Sequence, residues 1–400
     1  MRTTQWTDAN GSTALCWLII DDRKGSPRRR SALPPCLYSD VVAPFLRFDA
    51  PLPNQLYAIG GRDQQQEPLE TVEMFDTWHG RWVSCPGMLQ RRAGCGAAPL
   101  PSGQLLVAGG YNERGIVKGL LASCEAFVPA LQAWTRDCAA LRRARWGHGC
   151  ASLGGLIYAV GGCSIRTGAP LHEDFMETLR DCEVYDPEEN TWSPSASLHV
   201  ARAGARVVPI NNRYLAAVGG CDDVFGRAET LASVEIYHPS MMRWVQLNLR
   251  LSNPRTTAAV AALDDHRIMV FGGAPSLSSA EVYKVPESVG EDAEEQSAEP
   301  CSEGALICSM AEGRMGCQAA VLDLPTPGKP YPVCTRRCIV VVGGENGDEE
   351  WDESVRQYNS VLVYDVDSGT WRPEGVFPPM PTTRTAMATC VAPGKVCGHF

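Results

Sequence analysis

Long apolar runs are almost missing from this 400-residue chain. The nearest approach, residues 14–20, has no basic segment before it and runs into Asp21, Asp22, Arg23 and Lys24. It is too short for a membrane span and lacks the layout of a secretory signal. Positive charge is also short: 36 Lys and Arg against 46 Asp and Glu leave a net charge of -10. That argues against a nucleic-acid partner, because binding a phosphate backbone needs a basic surface. Metal-ligand patterns are missing too. The seven histidines (His79, His148, His172, His199, His238, His266 and His399) never pair at ligand spacing, and Cys334 and Cys338 have no second pair to complete a site. No zinc, copper or other cofactor is signalled. The 17 cysteines are odd in number and irregular in spacing, which reads as reduced thiols of a cytoplasmic or nuclear protein and not as a disulfide frame.

What the chain has is repetition. A diglycine closes a short apolar run six times, at Gly60/Gly61, Gly109/Gly110, Gly161/Gly162, Gly219/Gly220, Gly272/Gly273 and Gly343/Gly344, in steps of 49, 52, 58, 53 and 71 residues. Glu73, Glu125, Glu183 and Glu235 each precede an aromatic by two residues (Phe75, Phe127, Tyr185, Tyr237) and a tryptophan by nine (Trp82, Trp134, Trp192, Trp244). Leu362, Tyr364 and Trp371 keep that spacing without the acid; Glu281 and Tyr283 keep the acid, but an insertion displaces the tryptophan. An apolar residue then leads an arginine by four positions in all six copies: Met88/Arg92, Leu141/Arg145, Leu198/Arg202, Leu251/Arg255, Met310/Arg314 and Met380/Arg384. A repeat of this length is a unit that buries its faces only against its neighbours.

The runs at 56–59, 105–108, 156–160, 268–271 and 339–342 are too short for helices and apolar on both faces, so they read as buried strands. Residues 186–190, Asp-Pro-Glu-Glu-Asn, supply hairpin-turn chemistry before Trp192. The tryptophans read as apolar anchors between sheets.

This combination of diglycine, Glu-x-aromatic, Trp and Arg resembles the kelch repeat, whose units are propeller blades. The resemblance covers roughly residues 50–392. It implies an all-β fold: a six-bladed kelch β-propeller of four-stranded antiparallel blades over 51–392, with an N-terminal extension at 1–50 that reads as disordered and a tail at 393–400. Five arginine-led segments open blades two to six, whereas the sixth, 384–391, has no diglycine after it. It is free to complete blade one, which starts near Leu56, and so to remove an open sheet edge. Truncation after about Pro379 is expected to open the ring.

Acidic charge is concentrated in two insertions. One, at 286–305 in blade five, reads as solvated and disordered; the other, 345–358, is interrupted by Trp351 and Tyr358 and is the better contact for a basic partner. The Arg28–Arg29–Arg30 run in the extension is a weak nuclear-targeting pattern.

The six repeat arginines have two readings. They could form a ring of cations facing an anionic peptide, or bond across strands or blades to the repeat glutamate. The second is preferred, since a residue present in every blade serves what every blade shares. Residues that differ between blades are the better partner-binding candidates: Arg62, Arg91, Tyr111, Arg143, Trp146, Asp222, Asp223, Glu345 and Trp351. His148, between Gly147 and Gly149, reads as structural.

By resemblance, the expected function is non-catalytic: protein or peptide binding by the loops of one propeller face, as a ubiquitin-ligase substrate adaptor or a cytoskeletal scaffold. Many kelch proteins carry a BTB domain before the propeller, and about 50 residues before blade one are too few for it. A role with a ligase is then expected to run through another contact or subunit. The alternative is an enzyme. Plant specifier proteins use a Glu-x-x-x-Asp-x-x-x-His iron motif; Glu177 and Asp181 keep the spacing, but Tyr185 stands where the histidine belongs. Galactose-oxidase-like enzymes add domains absent here. A sialic acid mutarotase looks like a bare six-bladed kelch ring, which leaves open a cofactor-free sugar isomerase.

Overall fold

A computed structural model describes residues 54–393, apart from 78, 224–228, 276, 287–304, 307–308, 326–334, 348–354, 374 and 376. The extension at 1–50, nearly all of the acidic insertion at 286–305, Trp351 and all but the first residue of the tail at 393–400 lie outside the described residues.

Six four-stranded antiparallel sheets follow one another as blades. Blade two runs from its inner strand Gly96–Pro99 through Leu105–Ala108 and Cys124–Val128 to its outer strand Ala133–Thr135. Blade three is Gly149–Leu153, Leu156–Val160, Cys182–Asp186 and Thr191–Ser195. Blade four is Arg206–Ile210, Tyr214–Val218, Ser233–His238 and Arg243–Arg250. Blade five is Ala259–Ala262, Arg267–Phe271, Ala280–Lys284 and the two-residue Ala305–Leu306, short where the tryptophan is missing. Blade six is Gln318–Pro325, Thr335–Val342, Val361–Asp365 and Thr370–Trp371. Blade one takes its inner strand, Ala388–Pro393, from the far end of the chain and adds Asn54–Ile59, Val72–Asp76 and Arg81–Cys85. Its register runs from Asn54 opposite Pro393 to Ile59 opposite Ala388. The C-terminal strand therefore closes the ring, as the strand count requires.

The diglycines and arginines interlock the blades. The second glycine of each blade donates its N–H to the carbonyl of the arginine leading into the next blade: Gly61 to Arg92 (2.8 Å), Gly110 to Arg145, Gly162 to Arg202, Gly220 to Arg255, Gly273 to Arg314 and Gly344 to Arg384. The arginine then reaches forward, donating from a guanidinium nitrogen to the first glycine carbonyl of that next blade, as Arg92 does to Gly109, Arg202 to Gly219 and Arg384 to Gly60, each at 2.9 Å. A side chain at the second glycine has nowhere to go. Gly162 has φ +93°, and a Cβ there would sit 2.7 Å from the Trp146 carbonyl oxygen.

Five of the six arginines also meet the repeat glutamate of the blade they enter. The pairs are Arg92–Glu125 (2.7 Å), Arg145–Glu183 (2.7 Å), Arg202–Glu235 (2.9 Å), Arg255–Glu281 (2.6 Å) and Arg384–Glu73 (2.8 Å), all buried. In blade six, where Leu362 replaces the acid, Arg314 bonds Ser360 and lies over the Tyr358 ring at 4.3 Å. The glutamates hold the preceding blade as well: Glu125 accepts the Leu89 N–H, Glu183 that of Arg142 and Glu235 that of His199. The tryptophans anchor in the same direction. Trp82, Trp134, Trp192 and Trp244 donate their indole N–H to carbonyls of the preceding blade, at Pro378, Pro86, Ala139 and Ala196. Apolar packing accompanies them, for example Tyr57 and Ile59 of blade one against Val107 and Phe127 of blade two.

A second ring lies at the start of the inner strands. The residue two places after each arginine has positive φ: Gly94, Gly147, Gly204, Thr257, Gly316 and Ala386. Their backbones form a closed circle of six N–H···O=C bonds of 2.8–3.2 Å, each residue donating to its counterpart in the preceding blade, with Gly94 donating to Ala386. This belt encircles one end of the axial channel.

Candidate functional site

Two sets of loops meet on the belt side of the ring. Short bridges join the residue after each repeat arginine to the residue after the diglycine of the same blade: Ala93 with Tyr111, Trp146 with Cys163, Ala203 with Cys221, Thr256 with Ala274, Met315 with Glu345 and Thr385 with Arg62. The loops entering the inner strands and those leaving the second strands therefore share one face.

That arrangement changes the standing of three candidates. Arg62, Tyr111 and Glu345 follow their diglycines and read as exposed loop residues, but they are only 8%, 3% and 2% exposed. Each sits in the middle of a double bridge: Tyr111 pairs also with Leu120, Glu345 with Gln357 and Arg62 with Pro68. The backbone pairing draws them beneath the loop surface. Arg62 donates to Glu345 at 2.9 Å, a buried ion pair joining blade one to blade six, and Gln357 donates to the Asp63 carbonyl beside it. Tyr111 meets the Trp146 ring edge-on at 5.9 Å. Trp146 is half-buried and caps an apolar cluster of Val117, Cys163, Met176, Ala203 and Cys221.

The remaining described candidates lie nearer the solvent. Arg91 is exposed, with Glu70 at 3.8 Å. Arg143 is partly exposed and forms a close ion pair with Glu177, with Asp181 at 3.6 Å and the Ile165 carbonyl accepting at 2.8 Å. Asp181 in turn contacts Arg145 at 2.8 Å, so surface and buried charges are joined there. The hairpin Cys163–Ile165 with Met176–Thr178 positions this cluster on blade three. Asp223 is exposed, and Asp222 accepts the Glu229 N–H at 3.1 Å.

Sequence reasoning missed two residues of this region. Arg142 is exposed on the face, but its neighbour Arg143 drew the attention. Arg206 lies in the channel wall, four places after a repeat arginine where the other blades carry Gly96, Gly149, Ala259, Gln318 and Ala388. That contrast was available in the repeats.

The chemistry of the interior is quiet. Burial pushes the Cys95 thiol up to about 11, and Cys150 and Cys390 higher still, which suppresses thiolate reactivity. Among the described residues, no group of three or more His, Cys, Asp or Glu side chains could hold a metal ion, and no helix is long and apolar enough to cross a membrane.

The family profile described as the KLHDC2/KLHL20/DRC7 Kelch-repeats domain matches residues 50–273. The chain belongs to that kelch-repeat family. It is 24% identical over 325 residues to Kelch-like protein 23 of Homo sapiens, covering 81% of this chain and 48% of that protein. It is 28% identical over 233 residues to Kelch-like protein 34 of Homo sapiens, covering 55% and 33%. It is 26% identical over 170 residues to Beta-scruin of Limulus polyphemus, covering 42% and 18%. The kelch chain thus spans half or less of the length of these curated relatives. Among solved structures, that of YjhT superposes with a TM-score of 0.53 at 13% identity, over 75% of this chain and 87% of that one, a likeness of fold.

Proposed function

We propose that this kelch propeller is a non-catalytic interaction module that takes up a protein or peptide on its belt-side loop face. The observation that carries the reading is the division of labour among residues. The repeat arginines, five of them with their glutamates, are buried in the scaffold, so a ring of free cations is not what the face offers. What remains outward differs from blade to blade: Arg91 in the loop entering blade two, Arg142 and Arg143 in that entering blade three, Asp223 on blade four. Exposed, non-repeating arginine and acidic loop residues on a rigid ring suit selective recognition. Its loops need little rearrangement because bridges already tie both sets together.

The finer assignment rests on the kelch resemblance: bringing a substrate to a ubiquitin ligase, or anchoring a cytoskeletal complex. Two assays on the purified full chain separate them. A ligase adaptor co-purifies with cullin components from lysate, and a cytoskeletal scaffold sediments with filaments. Failure in both assays removes the finer assignment.

A further inference from the structure

Along the axis, inside the belt, runs a cavity of about 380 Å³ lined by the inner strands of all six blades. No belt residue lines it, so it begins beneath the belt and extends toward Pro99, Pro209, Val321 and Val391 at the opposite ends of those strands. Its wall is mostly Ala, Val, Gly and Pro. Among the described residues, Arg206 is its one permanently charged lining residue and no Asp or Glu lines it.

Arg206 extends from blade four across the channel edge. Its Nε donates to the Ala258 carbonyl of the strand entering blade five (2.9 Å), and a terminal nitrogen donates to the Cys317 carbonyl entering blade six (3.1 Å). Two of its five N–H groups are thereby used by neutral acceptors, and among the described residues no ion pair compensates its charge. Burial lowers its pKa to about 10, so it stays a cation at neutral pH. At the same end of the wall stands His148, 3% exposed, with neither ring nitrogen hydrogen-bonded among the described residues. Gly96 faces it; a Cβ there would lie 2.7 Å from His148 Nε2. A partly buried cation without a carboxylate and a buried imidazole without a partner are each costly arrangements.

We infer that the belt end of this channel is a binding site for a small free monocarboxylate, gripped by Arg206, with the aliphatic part of the ligand along the Ala and Val wall. A planar guanidinium with donors to spare matches a planar carboxylate. Among the described lining residues Arg206 has no second cation beside it, so the wall suits a singly charged anion better than a multiply charged one. None of Arg91, Arg142, Arg143 and Asp223 lines the cavity, so the site is separate from the partner-binding residues.

The test is titration calorimetry of the full chain with butyrate and with inorganic phosphate at constant ionic strength. Butyrate should bind saturably at one site, phosphate should bind more weakly, and Arg206→Gln should weaken butyrate about tenfold or more. A second variant, Thr389→Leu, narrows the blade-one wall without touching Arg206 and should also weaken butyrate; it serves if Arg206→Gln does not fold. No saturable butyrate binding, phosphate binding as tight as butyrate, or affinity unchanged in the folded variants overturns the site.

Discussion

Replacing Arg202 with Met probes the interlock where it is most completely buried. Arg202 and Glu235 have fully buried side chains. Arg202 donates to Glu235 at 3.1 and 2.9 Å, to the Gly219 and Ser233 carbonyls at 2.9 Å and to the Ser233 hydroxyl at 2.8 Å. Met fills much of the volume but leaves Glu235 with only the backbone donors of His199 and Val200. Removing one partner of a buried pair costs about 3–5 kcal/mol, mostly the desolvation of the charge left behind. With an unfolding entropy of about 2 cal/mol/K per residue, a ring of this size should lose roughly 5 °C in melting temperature. Arg314→Met, opposite Leu362 in place of a glutamate, should lose less. Adding Glu235→Leu to Arg202→Met should recover part of the loss, because both charges are then gone. The assay is urea unfolding followed by tryptophan fluorescence, run as a double-mutant cycle. A loss below about 1 kcal/mol for Arg202→Met, or strict additivity in the cycle, refutes the reasoning.

Gly162→Ala should destabilise by about 2 kcal/mol or more, from positive φ and the Trp146 carbonyl together, and an unchanged melt would show that the interlock has slack. Ending the chain at Pro379 removes Arg384 and the strand Ala388–Pro393, exposing the Asn54–Ile59 edge; size-exclusion chromatography should show aggregation, and a monomer melting like the full chain would refute closure. His148 supplies a pH dependence. Burial, then Arg145, lowers its pKa from 6.5 to about 3. Between those values unfolding takes up a proton, so stability falls as pH drops below about 6.5, by up to ~1.4 kcal/mol per unit. His148→Gln should flatten urea midpoints between about pH 6.5 and 5, and a slope equal to wild type would remove His148 as the cause.

The kelch fold was legible because its interlocks use side chains. The arginines recur at a fixed offset since each donates to the first glycine carbonyl of its blade, the glutamates since each pairs with such an arginine, and four of the tryptophans since each makes the same bond to the preceding blade. The diglycines recur since a Cβ on the first glycine would strike the arginine carbonyl and one on the second the carbonyl of the residue after an arginine. The bridges and the belt are built from backbone. Arg, Tyr, Cys, Cys, Ala and Glu occupy the equivalent positions 62, 111, 163, 221, 274 and 345, so nothing in residue type marks them as bridged. The exposed-loop reading of Arg62, Tyr111 and Glu345 failed for that reason. The belt is half-visible as glycines two places after the arginine, but Thr257 and Ala386 adopt the same left-handed conformation and hide the pattern.

The most direct test of the proposed interaction role is affinity capture from native lysate with mass spectrometry. Three proteins of equal thermal stability are compared: wild type, an Arg91→Glu/Arg142→Glu/Asp223→Arg loop-face variant, and a Leu131→Glu/Met242→Glu variant altered on the outer hairpins away from that face. Partners retained by wild type and the outer-hairpin variant but lost by the loop-face variant are the expected result. Partners that persist in the loop-face variant, or that are lost only from the outer-hairpin variant, would contradict it.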